Sequence, residues 1–506
     1  MKSRKSLFIM LTGLLAQLMN IVVNLIVVKL FLETYGSEVN GLNSTILKLM
    51  AYLSIVEAGV GAASIQALYR PLIEKNWEKV NGILAATRKF YLLSGFIFFI
   101  LALASTFIFP LVVHTTLSYS FVSIYISITA TRFLMEYLIQ GKYRVLLTAD
   151  QREYIINNIY TATVIVSGIL RIILIYLNVN VLIVESINTG LFILRAVAIK
   201  IYVNRKYSKV SYFSQPDKEA ISKRWDAMTH QIAGLLVNNT DILLLSIFIG
   251  FMQASVYNLY SMICVYATVP ITILIQSFAA GIGQTLAGSG NIREVNQLCE
   301  YISFIFITVF MSILFILFLP FVEMYTTNVQ DIDYINPILF YLMFISMVIK
   351  IIRTPGIMVI NGAGHFAETR NRAIFEAILN VCISLILLKF IGVYGIPLGA
   401  IISNLYRTTD IIIYSHKYIL KYSVINTVRR LVYNFIISVI VISVVNNLIE
   451  IKVNNLYTFL IEAIFITIVM AILVILANVL IELQSAMLIW KRVNSIFKVN
   501  KILKRG

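Results

Sequence analysis

The apolar residues of this chain come in runs too long for a strand and too continuous for an amphipathic surface helix. Phe304–Phe318 and Thr458–Leu480 are the plainest examples. A helix rises 1.5 Å per residue, so about 20 apolar residues cross the hydrocarbon layer of a bilayer. Lipid offers the backbone no hydrogen bonds, which leaves only the helix or the closed β-barrel as spanning structures. The alternating segments of a membrane barrel are absent. The pattern therefore predicts an all-α integral membrane protein of about 14 transmembrane helices. The spans fall near 7–32, 39–66, 90–113, 117–140, 154–177, 179–203, 228–250, 254–283, 299–322, 334–360, 374–391, 393–414, 431–449 and 456–482. Composition agrees. Of 506 residues 59% are hydrophobic and 13% charged, about half the charged fraction of a soluble domain.

The connections alternate in charge. Thirty-one of the 41 Lys and Arg residues lie in one set: the N-terminus, 70–89, 141–152, 200–224, 291–294, 361–372, 417–430 and the tail from Lys491. The other set is short, and Lys452 is its only cation. By the positive-inside rule the basic set and both termini are cytoplasmic. The basic tail is expected either to lie on the anionic inner leaflet or to act as a topology signal alone. The first span is too long for the apolar core of a cleaved signal peptide.

The net charge of +17 is spread over these loops, which argues against a nucleic-acid partner. Cys264, Cys299 and Cys382 form no metal spacing and no disulfide framework. No phosphate-binding Gly-rich loop, zinc-protease motif or nucleophile elbow is present. No cofactor and no metal are expected, and a transporter is favoured over an enzyme.

Three matches recur in order. Phe31–Leu42 resembles Phe248–Leu259, Ala58–Gly61 resembles Ala280–Gly283, and Asn76–Asn81 resembles Asn291–Asn296. They predict two pseudo-symmetric six-helix lobes plus two extra C-terminal helices. The divisions are 1–203 for the N-lobe, 204–227 for a cytoplasmic linker, 228–414 for the C-lobe and 415–506 for the last spans and tail. Parallel repeats of this kind place substrate between lobes that rock in alternating access.

Nine cations fall within spans: Lys29, Lys48, Arg132, Arg171, Arg195, Lys350, Arg353, Lys389 and Arg407. Each costs about 2.5–3.5 kcal/mol near the midplane, so such residues face a bundle interior or a wet cavity. Lys29 and Lys389 are placed to snorkel. Arg132 with Glu136, and Arg407 with Asp410, have the spacing of helical ion pairs, and Arg171 is at the depth of Glu185. Lys48, Arg195, Lys350 and Arg353 have no obvious local acid, and pairing with a distant one such as Glu57, Glu185 or Asp241 is the alternative to substrate contact. Lys350 and Arg353 adjoin Thr354-Pro355-Gly356, which predicts a helix break, and with Lys48, Arg195 and Arg171 they are the candidate contacts to an anionic substrate. Gln17, Asn20 and Asn24 share a face of the first span, and His230, Gly234, Asn238 and Asp241 share one of the seventh. Such stripes serve either as interhelical bonding or as cavity lining. Glu57 and Asp241 are candidates for ion coupling, or are structural partners of an Arg.

The chain resembles the Wzx-type flippases, in a superfamily shared with multidrug and toxin extruders and lipid II flippases. The resemblance runs over the whole chain. It is carried by length, span number, Gln17, Tyr35–Leu42, Glu57–Gly61, Tyr69–Leu72, Asn76–Asn81 and Arg88–Tyr91. Asn239–Leu245 with Gly250 and Tyr257 continue it. It implies a V-shaped pair of lobes around a cationic cavity and a monomer that moves undecaprenyl-pyrophosphate-linked oligosaccharide from the inner to the outer leaflet for capsule, O-antigen or exopolysaccharide assembly. Implied partners are the lipid-linked anionic oligosaccharide, membrane lipids, and the polysaccharide polymerase and chain-length machinery. Two other readings stand beside it, a multidrug-extruder-like cation antiporter and a membrane polysaccharide polymerase or ligase.

Overall fold

Apolar runs of this length form helices because the backbone then satisfies itself, and polar residues inside them do the same locally. Thr12, Thr106, Thr129 and Thr308 each return a hydroxyl to the carbonyl four residues back. The computed structural model describes residues 2–57, 59–217, 224–288, 290–448 and 456–490. The basic tail from Lys491, most of the Lys452 loop and part of the linker lie outside the described residues.

The helices are α1 (Lys2–Leu53), α2 (Val60–Glu74), α3 (Trp77–Val112), α4 (Tyr119–Met135), α5 (Gly141–Ala149), α6 (Glu153–Tyr176), α7 (Val181–Lys206) and α8 (Arg224–Phe248). They continue with α9 (Phe251–Ser277), α10 (Ala279–Ala287), α11 (Ile292–Tyr325), α12 (Pro337–Ile352), α13 (Thr354–Ala363), α14 (Phe366–Ile391), α15 (Gly395–Tyr414), α16 (Ile425–Leu448) and α17 (Leu456–Ile481). Among the described residues no strand occurs, and eleven helical stretches are long and apolar enough to cross a membrane. The chain is an all-α, multi-pass membrane protein. Two of these stretches, Phe8–Glu57 and Phe366–Leu420, run through positions where the sequence predicts a loop between spans.

Within the first of them Gly36 takes φ 81 and ψ 171, a conformation open essentially to glycine alone. Asp331 closes the break. Its carboxylate accepts the Ser37 N–H at 2.6 Å and the Ser37 hydroxyl at 2.7 Å. The expected interruption after Lys350 is also present, since α12 ends at Ile352 and α13 begins at Thr354. Single turns of π-helix follow α4 at Glu136–Gln140 and α15 at Ser415–Leu420.

The chain divides into two compact units. One comprises Met1–Asn258 with Asn328–Ile332, the other Leu259–Thr327 with Asp333–Gly506. In the first, Val27, Leu42, Ile46, Met50, Phe98 and Tyr125 are among the buried core. There α1 meets α9 so closely at Gly41 that any Cβ would fall on the carbonyl of Phe251. In the second, α11 packs with α16 and α17 through Ile316, Val441, Ile466 and Met470.

The repeated Asn motif has one local role in both units. Asn76 caps α3 by accepting the Lys79 N–H at 3.0 Å, and Asn291 caps α11 by accepting that of Glu294 at 3.3 Å.

Candidate polar sites within each unit

The π turn after α4 carries Glu136, and Arg195 of α7 forms an ion pair with it. Single π turns recur at functional positions in helices. The Arg195 guanidinium lies 4.7 Å from the centroid of Phe192, and Arg132 lies 3.4 Å from the same ring. Two guanidiniums thus share one aromatic ring, and Arg195 alone is paired to the carboxylate. Only electrostatics links Arg132 to Glu136, and Arg132 has no hydrogen bond or ion pair among the described residues. The spacing-based pairing of Arg132 with Glu136 is therefore corrected, and the acid of Arg195 is a distant one that local spacing does not show. Helical i,i+4 pairing presumes a continuous α-helix, and α4 ends one residue before Glu136.

Arg195 also lies 5.6 Å from the Tyr160 ring, whose hydroxyl donates to Asn20 Oδ1 at 3.0 Å. Asn24 donates to the same oxygen at 3.0 Å. Asn20 and Asn24 thus join this polar group, whereas Gln17 is exposed. Glu57 accepts the Tyr91 hydroxyl at 2.8 Å and stands within electrostatic reach of Glu136 and Arg144. Counting Arg132, Arg144 and Arg195 against Glu57 and Glu136, the group carries one excess positive charge.

Arg171 pairs with Glu185 at 2.7 Å, as depth along the spans suggests, and Asn188 donates to the other oxygen at 3.1 Å. Lys48 interacts electrostatically with Asp241, which accepts the Tyr257 hydroxyl at 2.7 Å. Tyr52 and Thr240 bond hydroxyl to hydroxyl beside them. Asn238 and His230 lie on α8, and their side chains are outside the described residues.

In the second unit Arg353 has a partner that local spacing does not show. It is 7% exposed and pairs at 2.7 Å with Glu376 of α14. Glu376 also receives Arg407 at 3.5 Å. Arg407 pairs with Asp410 at 2.7 Å, as expected, and Asp410 takes Arg372 as well. Three guanidiniums on two carboxylates again leave one positive charge. The partner of Arg353 is thus a distant acid, Glu376, rather than a local one. Lys350, three residues away, is exposed. Lys29 lies 3.9 Å from Glu33, and Lys389 is exposed.

Sequence reasoning missed a second buried network in this unit. Arg430 of α16 donates to Glu482 and, at 3.4 Å, to Glu300 of α11. Thr427 donates to Glu300 at 2.9 Å, and His416 Nε2 lies 3.6 Å from the same carboxylate. Burial opposes ionisation of Glu482, but hydrogen bonds from Arg430, Ser485 and Tyr433 outweigh it and hold the carboxyl below its usual range. Asn296 joins by donating to Glu300 at 3.0 Å and to the Tyr422 hydroxyl at 2.8 Å. Burial, with Glu300 nearby, pushes that hydroxyl up to about 12.

A signal for this arrangement was available. Lys206-Tyr207-Ser208 recurs as Lys421-Tyr422-Ser423, at the same offset that relates Asn81 to Asn296. Asn81 holds the corresponding segment of the first unit, donating to the Lys209 carbonyl at 3.2 Å and accepting the Ser211 N–H at 2.9 Å. Tyr207 donates to Asp150 at 2.6 Å, and burial together with that carboxylate raises its hydroxyl above the ordinary range.

Among the described residues no cluster of His, Cys, Asp and Glu could hold a metal ion. The Glu136 group and the Glu376 group each offer guanidinium donors in excess over carboxylates, suited to bidentate contact with an anion, whereas the Arg430 network has the opposite balance, one guanidinium against two carboxylates.

No family model and no curated relative matches this chain. Solved structures do. The lipid II flippase MurJ in an inward closed conformation is 14% identical, with a TM-score of 0.71, covering 94% of this chain and 99% of that one. An inward-facing multidrug resistance transporter of the MATE family in the MOP superfamily is 13% identical at a TM-score of 0.63, covering 79% and 94%. A MOP superfamily transporter from Pyrococcus furiosus, described as having a binding pocket of reverse polarity, is 12% identical at 0.60, covering 83% and 96%.

Proposed function

We propose that this chain, which has the fold of MATE transporters and of MurJ, is a flippase. It would carry an undecaprenyl-pyrophosphate-linked oligosaccharide from the inner to the outer leaflet of a bacterial cytoplasmic membrane, with both termini cytoplasmic. The observation that carries this reading is the pair Arg132 and Arg195 on one ring, with only Arg195 paired to the carboxylate of Glu136. A site for organic cations requires the opposite balance, with carboxylates in excess. The pyrophosphate of a lipid-linked sugar is an anion, and a polar head crosses a bilayer only along groups that replace its water. The Arg353, Arg372 and Arg407 group repeats the same sign in the second unit. The fold of neighbours that bind quite different molecules leaves the substrate to these charges.

The test is translocation in proteoliposomes of an undecaprenyl-pyrophosphate-linked oligosaccharide, followed by its accessibility to an added lectin. Arg132→Gln removes a cation that holds no ion pair, and the expected loss is about tenfold or more, the value of one charged hydrogen bond. Full transport by this variant at normal protein level would remove the central support. Absence of flipping by the wild type, with efflux of organic cations instead, would establish the multidrug reading. Formation of longer glycan chains by the reconstituted protein would establish the polymerase reading.

A further inference from the structure

One group of cations in the first unit takes no part in the networks above. Arg88 of α3 lies 4.2 Å from the ring centroid of Phe213. Lys142 of α5 lies 5.1 Å from the ring of Tyr143 and 5.6 Å from that of Tyr212, and the two rings meet edge to face at 5.0 Å. Lys142 is within electrostatic range of both Arg88 and Lys200 of α7. None of these three cations has a hydrogen bond or an ion pair among the described residues. By contrast Arg152, close by, is paired with Asp150 at 2.7 Å.

Like charges held together without an acid repel, so the arrangement is maintained by the fold. The segment after α7 is clipped to the start of α3 by Asn81, and the Asp217 N–H donates to the Gly82 carbonyl at 3.0 Å. This fixes Tyr212 and Phe213 against the cations. Tyr212 is 7% exposed, and its buried hydroxyl has no hydrogen-bond partner. A buried donor left unmatched is costly, and it points to a group that the protein alone does not supply. Phe213 is 81% exposed beside the Arg88 guanidinium, so an apolar surface adjoins the cationic one.

We propose that Arg88, Lys142 and Lys200, with the Tyr212 hydroxyl, bind the phosphate headgroup of an anionic phospholipid, its acyl chains lying against Phe213. All three cations fall within the basic stretches 70–89, 141–152 and 200–224, the cytoplasmic side in the proposed topology. Basic pockets between helices at that level recognise anionic headgroups. The apolar neighbour selects a lipid over a free phosphate. This site is separate from the Arg132 and Arg195 group, and its test does not depend on which substrate is transported.

The test uses the full chain in nanodiscs and native mass spectrometry after detergent release. Wild type is expected to retain phosphatidylglycerol over phosphatidylcholine. The triple variant Arg88→Gln, Lys142→Gln, Lys200→Gln is expected to retain it about 100-fold less, three surface charges being removed. Tyr212→Phe keeps the packing and is expected to weaken retention several-fold. The charge-preserving pair Lys142→Arg, Lys200→Arg should retain the lipid as wild type does, which separates binding from folding. Equal retention of phosphatidylcholine, or unchanged retention in both the triple and the Tyr212→Phe variants, would overturn the proposal. Displacement of the lipid by millimolar inorganic phosphate would overturn it as well, assigning the group to a free anion.

Discussion

Glu376→Gln is the substitution whose consequence the structure fixes most closely. Glu376 and Arg353 are both buried, 5% and 7% exposed, and meet at 2.7 Å. Arg407 reaches the same carboxylate at 3.5 Å but keeps Asp410 at 2.7 Å. The loss therefore concentrates on Arg353. Two unit charges about 4 Å apart interact by about 4 kcal/mol at an effective dielectric of 20. Breaking a buried pair by removing one partner costs about 3–5 kcal/mol, because the survivor stays buried without compensation. The glutamine carbonyl recovers part of one hydrogen bond, so about 3 kcal/mol remains. In a unit of this size that corresponds to a fall of roughly 6–12 °C in melting temperature. Thermal unfolding of the detergent-solubilised protein, followed by size-exclusion chromatography, reads the shift. The pairing also predicts an order. Glu376→Gln with Arg353→Met removes both charges and should recover most of the loss, whereas Glu376→Gln with Arg407→Met should recover little. An unchanged melting temperature in Glu376→Gln, or equal recovery by the two double variants, would refute the assignment of Arg353 as the dependent partner.

Two further outcomes are expected. Gly41→Ala should abolish well-folded protein in fluorescence size-exclusion, because the added methyl meets the Phe251 backbone, which cannot swing aside; Gly190→Ala, with no atom within 4 Å of its Cβ, is the matched control and should behave as wild type. Because the Glu482 carboxyl is held below its usual range, the stability that it contributes is complete above the unfolded value near pH 4.3 and is lost as pH falls through the lower folded value. Glu482→Gln should therefore flatten the acid limb of the stability profile between about pH 5 and 3 while lowering stability at neutral pH.

The parts of this molecule legible in the sequence are those fixed within one helix or between adjacent ones. Run length gives the helices, and positions three apart give Arg407 with Asp410. Matching depth on consecutive spans gives Arg171 with Glu185. Arg195 with Glu136 and Arg353 with Glu376 are set by which faces of different helices meet, and no local spacing encodes that. The Arg132 and Glu136 spacing misled because a π turn begins at Glu136 and ends the α-helical register there. Arg430 reads as a loop cation from hydropathy, yet it is 3% exposed, since the two acids that hold it come from α11 and from just beyond α17.

The Asn81 and Asn296 segments are held in different ways. In the first unit Asn81 fastens its segment through backbone groups of Lys209 and Ser211, which any side chain at those places would allow. In the second, Asn296 fastens its counterpart through the Tyr422 hydroxyl and turns its remaining contact to Glu300. Holding by a side chain couples the Tyr422 segment to Glu300, and through Glu300 to Arg430 and Glu482. A substitution at Tyr422 is therefore felt at Glu300, whereas one at Lys209 leaves a backbone bond in place.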